Sequence, residues 1–393
     1  MEQTTGTELA PAAVYEKDAA RSTPLTVEHA LYLVIVLVAF GLRFINLGVA
    51  PLLPLEAVQA WPAWLAATGT QVAGSPAATS ALFYGLQSLL FFVTGANEVL
   101  ARLLPAVVGT AMVLLPWWWR DWLGRGGALA VALLLALDPW LVALGRTADA
   151  VGLTVFLGLL VLTALWRWQR GGPAASDRSI GWERALAVGL GLLLVSGPQA
   201  WSWLPVLLAF GGIFVPRSPL ARPQRSSWIW FGAALVLGAS GLLARLDAVA
   251  AIGTSLTAWL GQWSGDFAAG NDVLALSSGW PWLRLLVDQP FLTVFGVLGL
   301  VLLATGRGLP PLLWASAGTD LDAGVEAKRG ARRLATFLGL WLVWGIVLVL
   351  LPGRSPFVLP MVGLPMAVAA GMALAYLVAL PLGDVSGLEV AVL

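Results

Sequence analysis

Cysteine is absent from the 393-residue sequence, and histidine occurs once, at His29. Disulfides and thiolate chemistry are thereby excluded, and a zinc site of the His/Cys type has too few ligands. Charge is also scarce. Asp, Glu, Lys and Arg make up 11% of the residues, where a soluble domain carries about 25%. So few charges cannot cover the surface of a water-soluble globule. The net charge is +1, and no soluble segment interleaves a basic cluster with aromatics. Nothing in this balance points to a nucleic-acid partner.

Apolar side chains are abundant: 59% of residues are hydrophobic and 21 are tryptophan. The chain length is therefore best counted in membrane spans of about 20 residues, and the expected fold is an all-α, polytopic membrane protein. Apolar runs lie near residues 30–47, 99–118, 127–145, 150–166, 227–244, 290–306, 335–352 and 357–381. The first run, Ala30 to Gly48, ends without a small-residue cleavage pattern. It is expected to be a retained span and not a secretory signal.

Two stretches are ambiguous by length. Residues 79–94 would form a helix of about 24 Å, short of a hydrocarbon core of about 30 Å. Residues 185–215 are long for one span and are interrupted by Pro198 and Pro205. Laying the first along the interface and folding the second into a hairpin gives ten spans with both termini cytoplasmic. That arrangement puts 16 of the 22 cations inside, as the positive-inside bias requires. With the same start, letting 79–94 cross leaves 7 inside. An arrangement with the N-terminus outside and 79–94 crossing gives 15 inside and stays open on charge alone. Residues 44–101 contain no Lys or Arg, which suits an outer loop and favours the ten-span reading. The expected organisation is a cytoplasmic tail over 1–28, a polytopic domain over 29–381 and a cytoplasmic tail over 382–393, in the plasma membrane. Trp117, Trp118, Trp119 and Trp122 flank Arg120 as a cytoplasmic aromatic belt. The outer segment 246–288 has room for an amphipathic surface helix.

This topology gathers a few ionisable residues on one face. The first outer loop holds Glu56, the loop after the third span holds Arg146 and Asp149, and Arg354 lies between the last two spans. Asp138 sits within the third span beside Pro139, and an acid at membrane depth is by default a functional candidate.

Four segments carry a resemblance to a known family. Leu42 to Gly69 (LRFINLGVAPLLPLEAVQAWPAWLAATG) resembles the first loop of the GT-C glycosyltransferases, in the branch of protein O-mannosyltransferases and aminoarabinose transferases. Phe92 to Pro105 (FVTGANEVLARLLP) resembles that branch's Phe-Gly-x-x-Glu-x-x-x-Arg-Leu-Pro element. Arg146 to Phe156 resembles its second acidic loop, and Arg354 to Met372 its Pro-rich final span. The family's acidic pair is usually Asp-Glu; here Leu55 stands at the first position, so the motif is degenerate.

The resemblance implies transfer of a sugar from a polyprenyl-phosphate donor to an acceptor on the outer face, with inversion. Glu56 and Asp149 would be the catalytic acids. Arg146 and Arg354 would meet the donor phosphate. Beside the resemblance, Asp138 is a binding candidate by its depth. Trp61 and Trp64 lie close enough to Glu56 in sequence to stack on a sugar, though tryptophan here mostly suits a lipid belt. The resemblance implies no organic cofactor. A divalent cation is one candidate auxiliary, and the partners are membrane lipid and the lipid-linked donor. Two other readings stay open: a non-catalytic scaffold or lipid-binding subunit of the same fold, and a secondary transporter. Each residue also has a plainer reading. Glu56 would be a solvated loop acid, Asp149 an N-cap, Arg146 and Arg354 interfacial anchors, and Asp138 the partner of a polar group on a neighbouring span.

Topology is testable because no native cysteine interferes. An impermeant thiol reagent is expected to label Gly69→Cys in intact cells and Ser218→Cys only after the membrane is opened. The reverse pattern overturns the ten-span arrangement.

Overall fold

The structure is a computed structural model that describes residues 27–70, 80–170, 177–214, 224–241, 251–264, 287–306, 321–351 and 358–379. The expected terminal tails fall almost wholly outside these residues. The described residues form helices and contain no strand. In chain order the helices are α1 (Val27–Phe44), α2 (Pro54–Ala67), α3 (Ala81–Thr94), α4 (Glu98–Met112), α5 (Arg120–Leu137), α6 (Pro139–Gly145) and α7 (Val151–Arg170). They continue with α8 (Asp177–Leu194), α9 (Trp203–Phe214), α10 (Arg225–Ala239), α11 (Ala251–Ser264), α12 (Pro290–Thr305), α13 (Leu321–Val349) and α14 (Pro360–Ala379).

By length and apolar composition five helical stretches can cross a bilayer: Val27–Phe44, Glu98–Leu137, Val151–Arg170, Lys328–Val349 and Pro360–Ala379. Ala81–Thr94 and Pro290–Thr305 are shorter apolar helices. The stretch from Glu98 to Leu137 is not one rod. A 3₁₀ turn over Leu115–Trp119 is followed by Gly124 at φ 76°, ψ 167°, a left-handed conformation open to glycine. The break lets α4 and α5 both pack on α1, at the tryptophan belt read from the sequence. The 185–215 stretch breaks at one of its two prolines: α8 ends at Leu194 and α9 begins at Trp203, beyond Gly197 and Pro198. Pro205 lies in the first turn of α9, where proline is tolerated. Within the 246–288 stretch, α11 is helical.

Helix periodicity sorts the side chains. On α1, Tyr32, Ile35, Ala39 and Arg43 recur at helical spacing and are buried. Leu33, Leu37 and Phe40 point away from the bundle and are half or more exposed. An apolar exposed face of this kind is solvated by lipid at no cost. In contrast, α14 is buried on all sides from Pro360 to Ala373, as a helix apolar all round should be. Its neighbours come close through small residues. A Cβ on Gly299 of α12 would lie 1.9 Å from the Ala369 carbonyl oxygen, and one on Gly345 of α13 would lie 2.6 Å from that of Met361.

Ion pairs tie the Trp-rich end of the bundle together. Arg120 meets Glu28 at 3.2 Å, and Arg167 meets Asp121 at 2.6 Å. Trp119 donates to the Thr163 hydroxyl at 2.8 Å. The opposite end, where α1 stops and α2, α4, α6 and α7 meet, holds most of the residues singled out above.

Backbone contact at Gly299 makes a direct prediction. Gly299→Ala has no free volume to enter, and overpacking should destabilise by about 1–3 kcal/mol or more. A Cβ on Gly339, in mid-α13, meets nothing within 4 Å. Gly339→Ala should therefore be neutral or stabilise by about 0.5–1 kcal/mol. Thermal unfolding in detergent compares the two; equal behaviour would contradict the close α12–α14 approach.

Candidate functional site

The site is assembled by arginines that capture backbone carbonyls left over at helix ends. A helix has four carbonyls at its C-terminus without intrahelical partners. The Asp138–Pro139 break creates such an end in α5. Fully buried Arg43 fills it, donating to the carbonyls of Leu135 at 3.1 Å and Ala136 at 3.2 Å. The guanidinium passes between Gly109 and Gly145, where a Cβ would lie 2.9 and 3.1 Å from Arg43 atoms. Arg146 serves the C-terminal end of α1 in the same way. It donates to Leu42 and Ile45 at 2.8 Å each and to Asn46 at 3.3 Å.

Arg102 on α4 is the third. Its Nη1 donates to the carbonyls of Leu47 at 3.0 Å and Ala50 at 2.8 Å, and its Nη2 to Pro51 at 3.0 Å. The remaining donors form a bidentate pair with Glu56: Nε to Oε1 at 2.7 Å and Nη2 to Oε2 at 2.6 Å. Glu56 also accepts the backbone N–H of Leu53 on Oε2 at 2.8 Å and that of Ala148 on Oε1 at 2.9 Å. One buried carboxylate thus starts α2, holds the first loop onto α4 and fastens it to the Arg146–Asp149 turn. Burial pushes the Glu56 carboxyl upward, but the hydrogen bonds and charge of Arg102 with the two N–H donors outweigh it. The carboxyl is held below the ordinary carboxylate range.

Two bonds on each oxygen use all four of its lone-pair directions. Expected as a catalytic acid, Glu56 has no site from which to take a proton in this arrangement. Its helix explains why. Glu56, Ala60 and Ala63 form the buried stripe of α2, while Leu55, one residue away and about 100° round the helix, is half-buried. Of the two positions, Leu55 is the freer one.

Asp149 is different. Its Oδ1 accepts the Val151 N–H at 2.7 Å, so it caps α7. Among the described residues no donor bonds to Oδ2, and the side chain is partly accessible. Burial among the packed loops raises its pKa to about 6 against the lowering effect of the Val151 N–H, with the Glu56 charge adding to the rise. Such a group can accept a proton near neutral pH.

Asp138 and the tryptophans are placed elsewhere. Asp138 caps α6 through the Leu141 N–H at 2.8 Å and accepts from Gln289 at 2.9 Å. This is the polar partner from a neighbouring helix that its plainer reading predicts. Gln289, absent from the sequence reading, is buried with its Oε1 unpartnered. It stands at the polar end of a cavity of about 410 Å³ whose walls include Leu292, Leu342, Ile346, Val362 and Met366. Trp61 and Trp64 pack on each other, 4.9 Å between ring centroids, and are exposed off the buried stripe of α2. Their exposure suits an interfacial belt. Arg354 lies outside the described residues. Arg102 was legible as part of the Glu-x-x-x-Arg-Leu-Pro element, though its partner was not.

Among the described residues no group of three or more His, Asp or Glu side chains could hold a metal ion. With Glu56 saturated, the residues gathered here do not fit a divalent cation.

An all-helical bundle of apolar helices, with its first loop locked to a second acidic loop at one end, defines a membrane protein of the GT-C-like fold. The comparisons that support this are structural. No family model and no curated protein matches the sequence. The apo oligosaccharyltransferase of Archaeoglobus fulgidus is similar at a TM-score of 0.55 and 14% identity, over 88% of this chain and 50% of that one. Its complex with an inhibitory peptide and a dolichol-phosphate gives 0.54, with the same identity and coverage. ArnT from Cupriavidus metallidurans, bound to undecaprenyl phosphate, gives 0.51 at 19% identity, over 88% of this chain and 60% of that one. The chain spans about half to three fifths of the length of these structures.

The central pair can be tested for its structural role. Removing one partner of a buried ion pair typically costs about 3–5 kcal/mol, so Arg102→Ala and Glu56→Gln should each lower thermal stability by amounts of that order. Because the Glu56 carboxyl is depressed, the stabilisation is full above the usual value of 4.5 and fades as pH falls through the folded-state value. Denaturation followed against pH should lose this component in Glu56→Gln; unchanged stability in both variants would remove the pair from its central place.

Proposed function

We propose that this protein is a GT-C-type glycosyltransferase that moves a sugar from a polyprenyl-phosphate donor to an acceptor on the outer face of the membrane. The observation that carries the reading is the direct bond between the two acidic loops, from Ala148 N–H to Glu56, which sets Asp149 with one carboxylate oxygen unbonded among the described residues. The GT-C-like fold supports it, as do the ligands of two similar structures, dolichol-phosphate and undecaprenyl phosphate.

In this mechanism Asp149 accepts the proton of the acceptor hydroxyl as that oxygen attacks the anomeric carbon. The bond from that carbon to the phosphate oxygen breaks, and polyprenyl phosphate leaves. Cationic side chains stabilise the departing phosphate; Arg146, which is partly exposed, is proposed for that role together with Arg354. Glu56 and Arg102 act as positioning residues, holding the loops in register. The apolar cavity behind Gln289 suits the first isoprenoid units of the donor, with Asp138 fixing the Gln289 amide at its mouth.

Asp149→Asn is the sharpest test, because Asn caps helices about as well as Asp and the fold should survive. Transfer from a polyprenyl-phosphate-linked sugar should fall about 10²–10⁴-fold while donor binding persists. In the native protein the rate should rise from pH 5 to pH 7 with an inflection near the Asp149 value of about 6. Full activity in Asp149→Asn would reject it as the base.

A second reading rests on Leu55 and the saturated Glu56: a non-catalytic, lipid-binding member of the same fold. No transfer from any donor, in the native protein or in Leu55→Asp, would favour it.

A further inference from the structure

At the Trp-rich end of the bundle, carboxylates meet the cations of α5 and α7. Arg120 and Arg125 approach Glu28, and Arg167 and Arg170 approach Asp121. The first turns of the apolar stretch of α13 differ. Lys328, Arg329, Arg332 and Arg333 are exposed and make no ion pair among the described residues. By helical spacing, Lys328–Arg332 and Arg329–Arg333 are like-charge pairs at i,i+4, an arrangement that destabilises an isolated helix. An external anion would remove the repulsion.

The four cations line a recess of about 450 Å³ together with Ile213 of α9 and Thr336. Its surroundings are those of a membrane boundary. Phe214 and Phe337 pack there against Trp122 of the belt, with centroids 5.4 and 6.2 Å apart. Lys328 opens the 22-residue span of α13. Along one face of that helix, Arg329, Arg333 and Thr336 are followed at i+3 and i+4 spacing by Leu340, Val343 and Val347. These three apolar side chains are 50%, 59% and 39% exposed. Cations above, then a hydroxyl, then an uncovered apolar strip match an amphiphile with an anionic head and an acyl tail.

We propose that the foot of α13 binds the phosphate of an anionic phospholipid headgroup, with an acyl chain along Leu340, Val343 and Val347. The site lies at the opposite end of the bundle from Glu56 and Asp149 and does not depend on the proposed transfer reaction. Basic recesses between membrane helices bind phospholipid headgroups by this chemistry. A free phosphate would satisfy the charges but would leave the apolar strip unused.

The test uses the full chain purified in detergent, with phosphatidylglycerol, phosphatidylcholine and inorganic phosphate as separate probes. Native mass spectrometry should show phosphatidylglycerol retained at least tenfold over phosphatidylcholine. Neutralising two cations in Arg332→Gln/Arg333→Gln should weaken that retention by ~30-fold. The charge-preserving Arg332→Lys/Arg333→Lys should keep most of it, which separates lost charge from a folding defect. Thermal stability should rise with phosphatidylglycerol and not with inorganic phosphate at equal concentration. Equal retention of the two lipids by the native chain would overturn the proposal, as would undiminished phosphatidylglycerol binding in the Gln variant. Equal protection by inorganic phosphate would reject the lipid as the source of the anion.

Discussion

Removing a carboxylate and a guanidinium from water costs several kcal/mol per ion even after relaxation. Glu56 and Arg102 bear that cost at 2% and 5% exposure. It is offset because both groups are saturated with bonds: Arg102 reaches three loop carbonyls as well as the carboxylate, and Glu56 accepts two backbone N–H groups. The first loop contains two prolines, Pro51 and Pro54, and no regular structure between Asn46 and Leu53. Such a loop cannot hold its own carbonyls, and unpaired polar groups are expensive near lipid. The pair supplies the missing partners, and the start of α2, the seat of α4 and the position of the second acidic loop follow from it.

The same packing gives the two acids opposite environments. The donors around Glu56 stabilise its charged form and lower its basicity. Asp149 has one N–H donor, a buried setting and a negative neighbour, and its proton affinity rises. Environments that push neighbouring carboxyl groups apart are how acid–base roles are commonly separated. Glu56 lies on the buried stripe of α2, and Leu55 beside it is half-buried.

Arginine recurs as the solution at this end of the bundle. Arg43, Arg102 and Arg146 each bind two or more carbonyls at a helix end or loop. A planar, permanently charged fork suits that task better than lysine. Packing makes room for it. Gly109 and Gly145 flank Arg43, as Gly299 and Gly345 let helices close on α14. The cations at the foot of α13 stand out against this pattern because no carbonyl or carboxylate among the described residues engages them.

Much of the architecture was legible in the sequence because lipid as solvent makes hydropathy and length decisive. Scarcity of charge called for an all-helical membrane protein, proline marked the break at Gly197–Pro198, and four segments resembled the GT-C family. The break at Asp138–Pro139, inside a run read as one span, came only with the structure. Helical periodicity put Glu56 and Leu55 on different faces of α2. What sequence left undecided was who bonds to whom. Arg102 lies 46 residues from Glu56 and Ala148 lies 92 away, and no spacing rule connects positions so distant. Gln289 meets Asp138 across 151 residues. Whether a carboxylate is a base or a bolt depends on how many donors converge on it, and tertiary packing alone sets that number.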